Sequence, residues 1–224
     1  MSPKATDARK GDILRAIYDK LFSTFGPQHW WPAKTPFEVC VGAILVQNTN
    51  WQNVTRAIEN LHREGLLEFP FLQRISRERM KTLIRPAGYF NVKATRLKNF
   101  LDFLAQNYEG DLKGLSGKPW PLARAELLSV NGIGHETADS ILLYALNKPV
   151  FVVDAYTKRL LLRHGFIEEA QDYTSMQKFF MTHIHSDPVV YNEYHALIVQ
   201  WGKRVRYDAR EGKEYLLRDR KYFL

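Results

Sequence analysis

Asn131, Gly132, Ile133 and Gly134 separate two helix patterns, Leu122 to Val130 and His135 to Leu146, and Asp154 follows twenty residues after Gly134 in Val152-Val153-Asp154. Glycines in such a hairpin let the turn approach another backbone closely, and the first amides of the second helix have no partner within it. Those donors suit a phosphate oxygen, and contacts of that kind position a protein on a duplex without reading its sequence. A Gly-x-Gly turn alone is weak evidence, because short helix–helix turns commonly use glycine. Asp154 has two readings. It is a candidate catalytic carboxylate downstream of a phosphate grip, or the N-cap of a helix beginning at Ala155.

Helical periodicity dominates the elements that must position these residues. Ile13, Ile17, Leu21 and Phe22 form one stripe, and Phe37, Val41, Ile44 and Leu45 form the next. Others lie at Val54-Ile58-Leu61, Leu97-Phe100-Leu101-Leu104 and Leu142-Leu143-Leu146. No convincing period-two strand is present, and Val150 to Val153, just after Pro149, reads as an extended connector. Thr35-Pro36-Phe37-Glu38 carries an N-cap, a first-position proline and an acidic first turn. Ser76-Arg77-Glu78-Arg79 starts a short helix that ends near Arg85-Pro86. Gly110 to Pro121, with three glycines and two prolines, is the longest loop-like stretch. The fold class expected is all-α.

The 224 residues suffice for one domain or two small ones, and 45% hydrophobic residues allow a packed core. A net charge of +8 suggests an anionic partner, with Lys203, Arg204, Arg206, Arg210, Lys213, Arg218, Arg220 and Lys221 concentrated near the C-terminus. A solvated basic face is the plainer alternative. Cys40 is the only cysteine, so neither an intrachain disulfide nor a cysteine-ligated metal cluster can form. The polar start of the chain and the lack of a long apolar run imply no secretory signal, no lipid anchor, no membrane span and a cytoplasmic location.

The run Leu127 to Ala138, followed by Val152-Val153-Asp154-Ala155-Tyr156, resembles the helix-hairpin-helix DNA glycosylase superfamily in its endonuclease III-like branch. Gly42 to Thr49 and Arg85 to Ala94 resemble its upstream segments in the same order. The resemblance implies two helical lobes with a cleft between them: residues 36–148 form a six-helix lobe, and residues 1–35 with 149–224 form the second. It implies a monomer acting on double-stranded DNA with a damaged base. It places Gly132, Ile133, Gly134 and His135 on the phosphate backbone and Gln47 at the space left by a flipped nucleotide, while the basic C-terminal segment offers Lys203 and Arg204 as further DNA contacts by charge. Plainer roles stay open: a helix-end amide for Gln47 and a solvent-facing ring for His135. The family hairpin also commonly holds a monovalent cation on backbone carbonyls.

Two departures narrow the subclass. The four-cysteine iron–sulfur cluster of many relatives is excluded by composition. Bifunctional members carry a lysine two residues after the second hairpin glycine, whose amine forms a Schiff base with the sugar. Here that residue is Glu136, which cannot form an imine. The resemblance therefore implies a monofunctional glycosylase, with Asp154 as the catalytic carboxylate stabilising positive charge on the sugar and orienting water. Glu136 itself is either a pocket residue or an ordinary first-turn acid favoured by the helix dipole.

Trp30, Trp31 and Pro32, with Trp51, suggest a base pocket, since flipped bases are commonly sandwiched between aromatic faces. Core packing is the ordinary fate of such residues. An N-methylated purine is cationic and gains cation–π energy from indoles. Within the family the combination of motifs is nearest to the 3-methyladenine DNA glycosylases of Helicobacter type, which implies excision of alkylated purines, 3-methyladenine first. The alternatives are an endonuclease III-type glycosylase/lyase on oxidised pyrimidines and a non-catalytic module that binds damaged DNA.

Overall fold

A computed structural model describes residues 3–210 and 217–223, with side chains from residue 7 to 205 and from 217 to 223. Its elements in chain order are α1 (Pro3–Phe25), α2 (Pro36–Leu45), α3 (Trp51–Arg63), α4 (Phe69–Arg74), α5 (Arg77–Ile84), α6 (Phe90–Tyr108), α7 (Leu112–Ser116), α8 (Trp120–Ser129), α9 (His135–Ser140), α10 (Ala155–Arg163), α11 (Tyr173–His183) and α12 (Pro188–Arg210). No strand occurs among the described residues, and Val150 to Val153 is a buried connector outside any helix.

The chain divides into two compact units, Trp31–Lys148 and Met1–Trp30 with Pro149–Leu224. The first boundary thus falls at Trp31, where sequence reasoning placed it at Pro36. In the continuous unit α2 is buried all along Glu38 to Leu45, which explains a pattern that is apolar nearly all round. Its start is fixed locally: Thr35 Oγ1 accepts the Glu38 amide at 3.1 Å, and Pro36 has no amide to lose. Asn50 and Ser76 cap α3 and α5 in the same way.

Two details differ from the sequence reading. The Gly110–Pro121 stretch contains α7, capped by Asp111 and anchored by the buried Leu115. The helix after the hairpin also widens into a π turn at Ile141–Ala145, with the Leu146 amide bonded to the Ile141 carbonyl at 3.1 Å.

In the discontinuous unit the α1 stripe Ile13, Leu14, Ile17 and Leu21 is buried. Phe151 stacks on Phe180 at 4.0 Å, and the Tyr194 hydroxyl donates to the Leu14 carbonyl at 2.7 Å. His164 is fully buried against Trp201 and Phe223, and burial pushes its pKa down to about 4. Because the folded value lies below the unfolded one near 6.5, the unfolded chain takes the proton first. Stability is therefore full above pH 6.5 and falls as pH drops toward 4, by about 3 kcal/mol from this residue. Thermal melts between pH 7 and 4.5 should show the loss, and His164→Leu should flatten the slope.

Candidate functional site

The hairpin is built for close approach. Gly132 lies at φ +99°, and a Cβ there would meet Arg96 Cγ at 2.2 Å, so backbone conformation and packing both demand glycine. The Ile133 amide donates to the Val130 carbonyl at 3.0 Å, closing the turn. A Cβ at Gly134 would meet nothing within 4 Å, so this glycine leaves open space at the start of α9. His135 and Glu136 are exposed there, while Ile133 is buried.

The two helices of the hairpin are stapled by an ion pair. Arg124 on α8 donates from Nε to Asp139 Oδ1 at 2.6 Å and from Nη2 to Oδ2 at 2.9 Å, and Asp139 has no exposed surface. The same Nη2 lies 3.2 Å from His135 Nδ1.

Gln47 is tied to the hairpin. Its Nε2 donates to the Gly132 carbonyl at 3.0 Å and to Thr137 Oγ1 at 2.9 Å, and its Oε1 accepts from Arg96 Nη1 at 2.6 Å. The α2 end that presents Gln47 is held by Lys93, only 1% exposed, which donates to the Leu45 and Ala87 carbonyls at 2.9 and 2.8 Å. An ammonium suits the negative end of a helix. Burial, with the nearby Arg96 charge, lowers the Lys93 pKa to about 8.

Asp154 is the N-cap that the sequence offered, and the cap uses only one of its two oxygens. Its Oδ1 accepts the Thr157 amide at 2.7 Å and the Thr157 hydroxyl at 3.0 Å, capping α10. Oδ2 is not used by the cap and lies 3.7 Å from Nε2 of the buried His195 on α12. Burial pushes the His195 pKa down, and the Asp154 carboxylate opposes that shift. The buried Val150 to Val153 segment leads into this cap, with Gln177 donating to the Phe151 carbonyl at 2.7 Å.

In the continuous unit Trp31, Pro32 and Trp51 line a cavity of about 170 Å³ together with Glu38, Gly42, Thr55 and Ile58. The two indoles meet edge to face, with centroids 4.9 Å apart. Trp30 belongs to the other unit, and Glu136 does not line this cavity. Sequence reasoning missed Glu38, Thr55 and Ile58 as lining residues. The signal was present: Thr55 and Ile58 follow Trp51 at helical i, i+4, i+7 spacing, and Gly42 follows Glu38 by one turn. It also missed Arg96 and His195, for which no local pattern exists. Lys203 and Arg204 are exposed on α12, whereas the side chains of Arg206, Arg210 and Lys213 lie outside the described residues. No helix of the described residues is long and apolar enough to cross a membrane.

Comparison with known proteins places this geometry in context. Residues 41–185 match the HhH-GPD superfamily of base excision DNA repair proteins. A Methanocaldococcus jannaschii protein named "Putative DNA repair glycosylase MJ1434" is 49% identical over 197 residues, 87% of this chain and 89% of that one. The thymine/uracil-DNA glycosylase of Pyrobaculum aerophilum is 26% identical, covering 91% of this chain and 86% of its own. Among solved structures, the H. pylori 3-methyladenine DNA glycosylase (MagIII) bound to 1,N6-ethenoadenine superimposes with a TM-score of 0.75 and 29% identity. That match covers 88% of this chain and 98% of that one.

Proposed function

Because the chain belongs to the HhH-GPD superfamily of base excision DNA repair proteins, and is a DNA repair glycosylase, we propose that it excises alkylated purines, 3-methyladenine first, by hydrolysis without strand cleavage. The observation that carries this reading is the cavity walled by Trp31 and Trp51, which offers indole faces and edges to an electron-poor base. Similarity to the H. pylori 3-methyladenine glycosylase supports it.

In this reading the duplex backbone rests on the amides of His135 and Glu136 beyond the open Gly134, and the damaged base is extruded from the stack. Breaking its N-glycosidic bond builds positive charge on the sugar. Asp154 stabilises that charge through Oδ2 and orients the attacking water, while its Oδ1 stays in the cap. No amine stands at position 136 to form an imine, so an intact strand with an abasic site is the expected product. Gln47 braces the hairpin, and entering the space left by an extruded nucleotide requires it to give up its three hydrogen bonds. A hairpin-bound monovalent cation would be held by backbone carbonyls of the turn between α8 and α9. Its charge would strengthen the grip on phosphate, and no chemical step depends on it.

The test is a set of duplexes carrying 3-methyladenine, 7-methylguanine, hypoxanthine, mispaired uracil or thymine, or an oxidised pyrimidine, scored for base release and for nicking before alkali. Release of methyladenine with the strand intact is the expected result. Nicking without alkali identifies a lyase, release of uracil or thymine alone reassigns the substrate, and tight binding without product identifies a binding module.

Lys203 and Arg204 are assigned to phosphate contacts on the strength of their exposure on a basic segment. Replacing both with alanine should weaken duplex binding and reduce the slope of log K against log salt by up to about two. Fluorescence anisotropy across a salt series measures it, and an unchanged slope removes both residues from the interface.

A further inference from the structure

Glu38 is the one charged side chain on a cavity otherwise walled by Trp31, Pro32, Gly42, Trp51, Thr55 and Ile58. It is only 7% exposed, and it belongs to the N-terminal cap of α2. In an ordinary capping box the carboxylate at this position returns to the amide of the capping residue. Here Oε2 instead accepts the Lys34 amide at 3.1 Å, and among the described residues no donor reaches Oε1. One turn later, Gly42 lets both indoles lie against the helix: a Cβ there would sit 3.3 Å from Trp31 and 3.5 Å from Trp51. Thr55, also on the wall, spends its hydroxyl proton on the Trp51 carbonyl at 3.1 Å. Around Glu38 the cavity therefore offers aromatic surface and acceptors.

We infer that this cavity is an aromatic cage for a cationic base, in which Glu38 is the residue that reads the charge. The inference rests on the glycosylase reading above and adds the group that would separate a methylated, cationic purine from a neutral one. Its physical basis is an asymmetry. A neutral ring seated on the indoles strips water from a carboxylate and returns no counter-charge, leaving a buried unpaired anion. A cationic ring pairs with that anion and gains cation–π attraction from the indoles as well. Aromatic walls alone reward the cation. A carboxylate among them also penalises the neutral competitor, so the two effects add in the discrimination.

The plainer role for Glu38 is the cap, and charge and reach can be separated to test it. Glu38→Gln keeps the acceptor that reaches the Lys34 amide and removes the charge; Glu38→Asp keeps the charge and shortens the reach. Binding of the free cation 3,9-dimethyladeninium and of neutral 9-methyladenine to the full chain is followed by tryptophan fluorescence, beside a thermal melt of each variant. The wild type is expected to prefer the cation. Glu38→Gln should lose about tenfold of that preference, in keeping with one screened charge pair, and Glu38→Asp should keep most of it. A preference that survives in Glu38→Gln, or that follows the melting temperature instead of the charge, overturns the inference. So does a wild type with no preference. A wild type that prefers the cation through Glu38 yet releases no methylated base from DNA leaves the cage standing and rejects the alkylpurine reading.

Discussion

Asp154→Asn is expected to lower base release by about a thousandfold or more while the protein melts within about a degree of the wild type. The loss follows from charge: an amide cannot stabilise a developing oxocarbenium ion as a carboxylate does, and removing one well-placed electrostatic group typically costs a hundred- to a thousandfold or more in rate. The retained fold follows from the cap. Asparagine is as good an N-cap as aspartate, so its Oδ1 can take the Thr157 amide and hydroxyl that Asp154 now accepts at 2.7 and 3.0 Å. Its amide nitrogen then faces His195 in place of Oδ2. Single-turnover release from a 3-methyladenine duplex, beside a thermal melt, measures both halves. Unimpaired release would assign the chemistry to another group, and a large drop in melting temperature would mean that the cap, not the charge, had been lost.

Asp139→Ala should have the largest effect on stability. It strands the Arg124 guanidinium, 15% exposed, beside a site with no exposure at all. Breaking one side of a buried pair costs about 3–5 kcal/mol, because the remaining charge is left uncompensated. Urea denaturation should report that loss, and duplex binding should weaken with it, since α8 and α9 would no longer be held across the hairpin. The double replacement Arg124→Met with Asp139→Leu should recover most of the stability, as removal of both partners is often nearly neutral. A double variant as unstable as the single one would show that the pair's contribution lies in more than charge satisfaction.

These two residues mark how far the sequence could be read. Caps were legible because they are local: Thr35, Asp154 and the hairpin glycines each act within a few positions of themselves. The staple was half legible, since Asp139 stood inside the motif while its partner lay fifteen residues upstream on another helix. The Gln47 network was not legible. It joins residues 49 and 85 positions apart, and nothing near Gln47 announces Arg96 or Gly132. Helix α7 escaped because glycine content argued for a loop, and burial of Leu115 outweighed that propensity. The π turn at Ile141–Ala145 escaped because an apolar run of leucines reads the same in either helical register. Glu38 was legible as a first-turn acid, but a local capping pattern does not disclose which cavity the side chain lines.

The discontinuous unit sets a problem of timing. Helix α1 is synthesised long before α12, and the hydroxyl that bonds its Leu14 carbonyl belongs to Tyr194, 180 residues later. At about 5–20 residues per second, the stripe of Leu14, Ile17 and Leu21 waits roughly 10–40 s for its partners. The continuous unit, by contrast, contains all of its own core before α10 is made. Synthesis should therefore pass through a state in which the hairpin is folded and the apolar stripe of α1 is still uncovered, and holdase chaperones should engage this chain at that stripe.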